Sequence, residues 1–195
     1  MMIFVSHSSK DVDLAKALIN LLKSALGLPA NQIRCSSVDG YRLPVGVNTE
    51  NKLREEVKAA KVVIGLITPS SLTSHFVMFE LGARWGAGLF LAPLLAGVVP
   101  SELKGPLSLL NVLSADTQSK LIQFVEDIAK QLDINAQSTA SYLDEINAVL
   151  QMAEAAPKIE SAQEDFRTKG AIQQIGQQTH EESYNPLTYG LRTAR

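Results

Sequence analysis

The chain has 195 residues, 46% of them apolar and 19% charged, a mixture that supports one well-packed domain with an appendage and excludes a disordered or fibrous chain. Its 18 basic and 20 acidic residues leave a formal net charge of -2, too weak a field to gather nucleic acid or anionic lipid, so neither is expected as a partner. A single cysteine, Cys35, excludes an intramolecular disulfide and a thiolate metal cluster, which fits a reducing, cytoplasmic location.

Residues 1–7 turn apolar at once, without the basic lead or the length of a signal peptide, and read as a first strand over 2–6. Ser8 with Asp11 three positions on resembles a capping box, and Leu14, Leu18, Leu21 and Leu22 line one face of the helix it opens. Gly27-Leu28-Pro29 stops that helix, a short strand is expected over 32–37, and 39–46 is a turn-rich loop. Residues 49–60 form a helix, 62–68 the central strand, and Ser74 caps a helix running to about Gly86. The run 89–96 reads as a fourth strand, since 89–99 is too short to span a bilayer and carries Pro93. A fifth strand is expected over 107–113 and a helix over 117–132. Strands alternating with amphipathic helices specify an α/β sandwich around a parallel sheet.

After Leu132 the pattern changes. A helix over 138–155 carries Leu143, Ile146, Val149 and Leu150 as its apolar stripe, Pro157 interrupts it, and a Gln- and Glu-rich tail follows. The expected division is therefore a domain over 1–135 and a helical C-terminal appendage over 136–195, its stripe in need of a partner surface.

A parallel sheet gathers functional groups at the carboxyl ends of its strands. Here that edge holds Ser6-His7-Ser8, the 39–48 loop and 68–76, with Glu80 on the helix that follows; Phe76 and Arg84 lie one turn to either side of Glu80. In these segments the chain resembles the TIR (Toll/interleukin receptor) family, in its bacterial stand-alone, NAD-cleaving type. Phe4-Val5-Ser6-His7-Ser8-Ser9-Lys10-Asp11 is similar to the family's opening strand motif, and Pro44-Val45-Gly46 falls at its BB loop, with Val45 inserted. Ser74-His75-Phe76-Val77-Met78-Phe79-Glu80-Leu81 is similar to the Ser-x-Trp-Cys-x-x-Glu-Leu box, with Phe76 for Trp and Val77 for Cys. The resemblance covers about residues 2–132.

It implies a flavodoxin-like three-layer sandwich with a central parallel five-stranded sheet. It also implies an enzyme that cleaves NAD, as substrate rather than cofactor, at the nicotinamide–ribose bond, giving ADP-ribose or a cyclised ADP-ribose. Glu80 takes the position of the family's catalytic carboxylate, and one carboxylate suffices because nicotinamide leaves a cationic precursor as a neutral ring, unlike the two-carboxylate glycosidase scheme. Ser6, His7, Ser8, Arg42, Pro44, Thr68 and Phe76 form the candidate substrate-binding set, with Phe76 stacked on or flanking the nicotinamide ribose. The resemblance further implies self-association through TIR–TIR contacts involving the 40–48 loop, a separate effector or sensor protein, and a role in bacterial anti-phage defence.

Each residue also has a plainer reading. Glu80 and Arg84 have the spacing of a helix ion pair contributing about 0.2 to 0.5 kcal/mol. His7 and His75 read as loop donors, and with His180 distant in sequence no metal site is expected. Trp85 reads as a core aromatic, and Tyr41 and Arg42 as a solvated loop tip or a binding surface. A non-enzymatic TIR interaction module is the alternative function. A deoxyribosyltransferase-like enzyme lacks its usual nucleophile setting here, and a receiver domain lacks the acidic cluster at the ends of the first and third strands.

Overall fold

A computed structural model describes residues 2–35, 38 and 49–158. The strands are β1 (Ile3–Ser6), β2 (Ile33–Arg34), β3 (Val62–Ile67), β4 (Leu91–Leu95) and β5 (Leu113–Ser114). The helices are α1 (Val12–Leu26), α2 (Thr49–Ala59), α3 (Pro69–Leu72), α4 (His75–Gly86), α5 (Gln118–Leu132) and α6 (Leu143–Glu154). All four strand pairings are parallel, in the order β2-β1-β3-β4-β5, which is the flavodoxin-like arrangement.

The period of two along the strands builds two cores. Ile3, Val5, Val62, Ile64, Leu66 and Leu94 face one side with α1 and α5, while Phe4, Val63, Ile67 and Leu95 face the other with Val57 of α2, Ala60 just after it, and Val77 and Leu81 of α4. Gly65 in β3 sits under α4, where an added Cβ would lie 2.9 Å from Leu81 Cδ2, so the missing side chain lets the helix approach the sheet. Gly65 is paired in register with Ser6, and that close approach therefore falls at the end of β1.

Several elements depart from expectation. The fifth strand forms at 113–114, and the residues before it, Gly105–Leu109, make a 3₁₀ turn that sends Leu107 into the second core. Pro106 has no N–H to give a ladder and Gly105 adopts φ 60°, both of which break a strand there. Ser8 caps a short 3₁₀ turn, Ser9–Asp11, by accepting from Lys10 N at 3.3 Å, and α1 begins only at Val12. Asp11 makes no cap; its carboxylate is used elsewhere.

The packing does not break at residue 135: the described chain through Lys158 is one compact unit. Tyr142, Ile146, Val149 and Ala153, at helical spacing, are buried in the first core, and α6 lies mainly on α1 with α5 beside it. Gln137 N donates to Ala25 O at 2.7 Å and Ser24 Oγ to Glu145 Oε1 at 2.7 Å, fixing the connection. The apolar stripe of this helix thus finds its partner surface within its own domain, with Leu143 turned outward and Leu150 at the core's margin. No helix among the described residues is long and apolar enough to cross a membrane.

Candidate active site

β1 ends by placing Ser6, His7 and Ser8, all buried, at the carboxyl edge of the sheet. Ser74 starts α4 as its N-cap, accepting from Val77 N at 3.4 Å, and the helix buries Val77, Leu81 and Arg84 at i, i+4, i+7 spacing. That phase leaves Phe76, Phe79 and Glu80 on a different side. Glu80 is half-buried and its Oε2 accepts a 2.6 Å hydrogen bond from Ser6 Oγ. Burial raises the Glu80 pKa above the ordinary carboxylate value, and the Ser6 hydrogen bond opposes that rise. A carboxylate held by one short bond and incompletely hydrated interacts strongly with a positive charge formed beside it.

Glu80 lines a groove of about 410 Å³ between α2 and α4, together with Arg54, Val57, Lys58, Phe76, Phe79, Ala83, Arg84, Ala87 and Leu89. Phe76 and Phe79 are 74% and 75% exposed, so their rings present faces to solvent rather than to the core. The volume falls in the range of small-molecule sites, and the walls combine aromatic, cationic and carboxylate groups.

Arg84 makes no ion pair with Glu80. It is 2% exposed, and its guanidinium donates to the carbonyls of Val57 at 2.9 Å, Lys58 at 3.3 Å, Ala60 at 2.9 Å, Lys61 at 3.1 Å and Phe90 at 3.0 Å. The carbonyls at the end of α2 are the ones a helix leaves unpaired, and they form the negative pole of its dipole. Arg84 therefore closes α2, binds it to α4 and to the entry of β4, and shapes the wall of the groove. Burial lowers its pKa. A second clamp, Arg34 Nε to Glu56 Oε2 at 2.8 Å with Nη2 to Oε1 at 3.2 Å, fixes α2 to β2.

The remaining candidates separate. The Thr68 hydroxyl is fully buried, donates to Asp11 Oδ2 at 2.6 Å and accepts from Ser71 N at 3.0 Å; Thr68 N donates to Ser71 Oγ at 2.7 Å. This capping box starts α3, and Asp11 ties the end of β3 to the turn after β1. Thr68 thus braces the edge that carries Ser6. His7 lies with Nδ1 3.5 Å from the buried Cys35 Sγ. Burial is the main influence on its pKa, which is lowered despite opposing contributions from the Val5 backbone and Asp11. Ser8 is committed to its turn. Arg42 and Pro44, with Tyr41 and the rest of the 39–48 loop, lie outside the described residues. Trp85, expected in the core, is 45% exposed because the 77/81/84 phase turns it outward.

Sequence reasoning missed Arg54, Lys58, Phe79 and the Arg84 clamp. Arg84 had a visible signal, a lone cation in phase with Val77 and Leu81, whereas Arg54 and Lys58 are ordinary exposed cations of a polar helix until α4 is placed opposite them.

A family model for the TIR domain matches residues 3–132. Comparison with curated proteins gives no match. Among solved structures, the TIR domains of the activated Roq1 resistosome that directly recognises the pathogen effector XopQ align at 15% identity, over 91% of this chain and 98% of that one, with a TM-score of 0.37. With the family pattern running from the first residue of β1 to the last of α5, the chain belongs to the TIR domain family.

Proposed function

We propose that this TIR domain is an NAD nucleosidase in which Glu80 is the catalytic carboxylate. The observation that carries the reading is the half-buried Glu80, held by Ser6 at 2.6 Å and lining a groove beside the exposed Phe76. In the proposed reaction the bond between ribose C1′ and the nicotinamide nitrogen breaks, and its electron pair leaves with the neutral nicotinamide. The ionised Glu80 stabilises the oxocarbenium-like ribose as charge develops, and Phe76 flanks the ring. Water then attacks C1′ and releases a proton, giving ADP-ribose; capture by a nucleophile of the substrate itself gives the cyclised product. Ser6, at the end of β1, holds the carboxylate in place.

The test is incubation of the purified chain with NAD, with products separated by chromatography and identified by mass spectrometry. Nicotinamide release by the wild type and none by Glu80→Gln supports the proposal; equal release by both, or none by either under conditions that assemble the protein, refutes it. The exposure of Phe76 and Phe79 also favours the alternative of an interaction module without turnover, in which these rings contact another TIR domain. Turnover is proposed to depend on self-association, which predicts a specific activity that rises with protein concentration. The setting in bacterial anti-phage defence is proposed on resemblance.

A further inference from the structure

Asp11, Thr68 and Ser71 are buried polar residues at the carboxyl edge of the sheet, and none of them lines the groove. Burying such groups costs free energy unless each is bonded, and here each is. Ser6 is the last residue of β1 in register with β3, opposite Gly65. Past that pair the two strand exits are tied by the 2.6 Å bond from Thr68 Oγ to Asp11 Oδ2, and Asp11 N donates back to Ser8 O at 2.9 Å. From Thr68 the bonding continues toward α4. Ser71 N donates to Thr68 Oγ at 3.0 Å, Ser74 N donates to Ser71 O at 3.0 Å, and Ser74 caps the helix that carries Glu80. The Ser6–Glu80 bond closes this path into a ring.

We propose that Asp11, Thr68 and Ser71 are positioning residues of the Glu80 site: they lock the exit of β1 to the start of α4 and so hold Ser6 Oγ within bonding reach of the carboxylate. The tolerance is small. Ser6 Oγ and Glu80 Oε2 are 2.6 Å apart, and a further separation of about 1 Å takes such a pair out of hydrogen-bond range. Leu81 against Gly65 sets how closely α4 approaches the sheet, but apolar contact is non-directional and does not oppose sliding along the strand. The directional bonds through Asp11, Thr68 and Ser71 do oppose it. The consequence for turnover rests on the reading of Glu80 as the catalytic carboxylate. Arg54 and Lys58 of α2 and Arg84 of α4 line the groove with Glu80 and stay unchanged in the variants below. Asp11 also raises the pKa of His7, so the test turns on Thr68, whose replacement alters no charge.

The experiment has two arms on the full chain, with Thr68→Val, which removes the hydroxyl, Thr68→Ser, which keeps it, and each combined with Ser6→Ala. In the first arm, kcat and KM for nicotinamide release from NAD are measured across pH. Thr68→Val is expected to lower kcat about tenfold to a hundredfold, the loss that a misplacement of about 1 Å produces, with KM little changed. Its acid limb should move to higher pH, as in Ser6→Ala, and Thr68→Ser should restore both. In the Ser6→Ala background, Thr68→Val should change kcat by less than about twofold, because the contact it acts through is already gone. In the second arm, the Glu80 carboxyl is titrated by carbon-13 NMR, its signal assigned by loss in Glu80→Gln. Thr68→Val should raise the titration midpoint in the wild-type background and leave it unmoved in Ser6→Ala. A folded Thr68→Val protein with a wild-type Glu80 titration and wild-type kcat overturns the inference. So does a shift equally large with and without Ser6, since Thr68 then acts by another route. Absence of turnover in every form, together with a Glu80 titration that depends on Thr68 through Ser6, overturns the nucleosidase reading and leaves the positioning role standing. If circular dichroism shows Thr68→Val unfolded, Ser71→Ala opens the ring one link further on, keeps Asp11 bonded to Thr68, and is judged by the same outcomes.

Discussion

Ser6 at the end of β1 and Glu80 in the middle of α4 are 74 positions apart in the chain and joined by one 2.6 Å hydrogen bond. The bond exists because β1 and β3 run in register at Ser6 and Gly65, and because the absent side chain at Gly65 lets Leu81, the neighbour of Glu80, sit on the sheet.

Ser6→Ala removes the one contact that opposes the rise of the Glu80 pKa. The carboxyl then stays protonated to a higher pH. Nicotinamide release is expected to show an acid limb displaced to higher pH than in the wild type, with a reduced rate at neutral pH. A pH–rate profile checks this; an unmoved acid limb means that the Ser6 bond does not tune Glu80.

Glu80→Gln is expected to abolish nicotinamide release and to stabilise the fold at neutral pH. The sign follows from a folded-state pKa raised above the unfolded one. Stability contributed by the protonated carboxyl is fully present below the unfolded value and is lost as pH rises through the folded value. Gln escapes that loss. Its melting temperature should exceed that of the wild type at neutral pH and converge with it in acid, as measured by calorimetry across pH.

Gly65→Ala places a methyl group 2.9 Å from Leu81 Cδ2 in a buried contact. Overpacking of this kind costs about 1 to 3 kcal/mol, and a shift of α4 carries Glu80 away from Ser6. Activity should fall more than stability does. Comparison of kcat with the unfolding midpoint in urea decides the matter, and a fully active variant means that Leu81 absorbs the methyl by itself.

Arg84→Ala leaves buried carbonyls at the end of α2 without their donor, at a cost of about 2 to 4 kcal/mol. Arg84→Lys should rescue little, since one ammonium cannot reproduce the planar fork across five carbonyls. Denaturant unfolding of both variants measures the difference; a lysine variant as stable as wild type would contradict the clamp.

Removal of α6 by truncation before residue 138 takes Tyr142, Ile146, Val149 and Ala153 out of the first core. Each large buried side chain contributes about 1.5 to 3 kcal/mol, against a total domain stability of about 5 to 15 kcal/mol. The truncated chain is expected to lose its cooperative melt, as followed by circular dichroism. A sharp native-like transition would mean that α1 and α5 close the core by themselves.

The sequence by itself determined the parallel α/β sandwich, because runs such as Ile3–Ser6 and Val62–Ile67 alternate with helices whose apolar phase is plain. It also marked Glu80, since α4 and its Ser74 cap are local and the surrounding box is contiguous. Tertiary structure decided what the flanking residues do. Arg84 has the spacing to pair with Glu80, and only the placement of the carbonyls at the end of α2 turns it away. Thr68 stands at the carboxyl edge of the sheet, and only the arrival of Asp11 commits its hydroxyl. The stripe of α6 has the same period whether it meets a partner protein or its own α1, since periodicity encodes which face is buried and not what buries it.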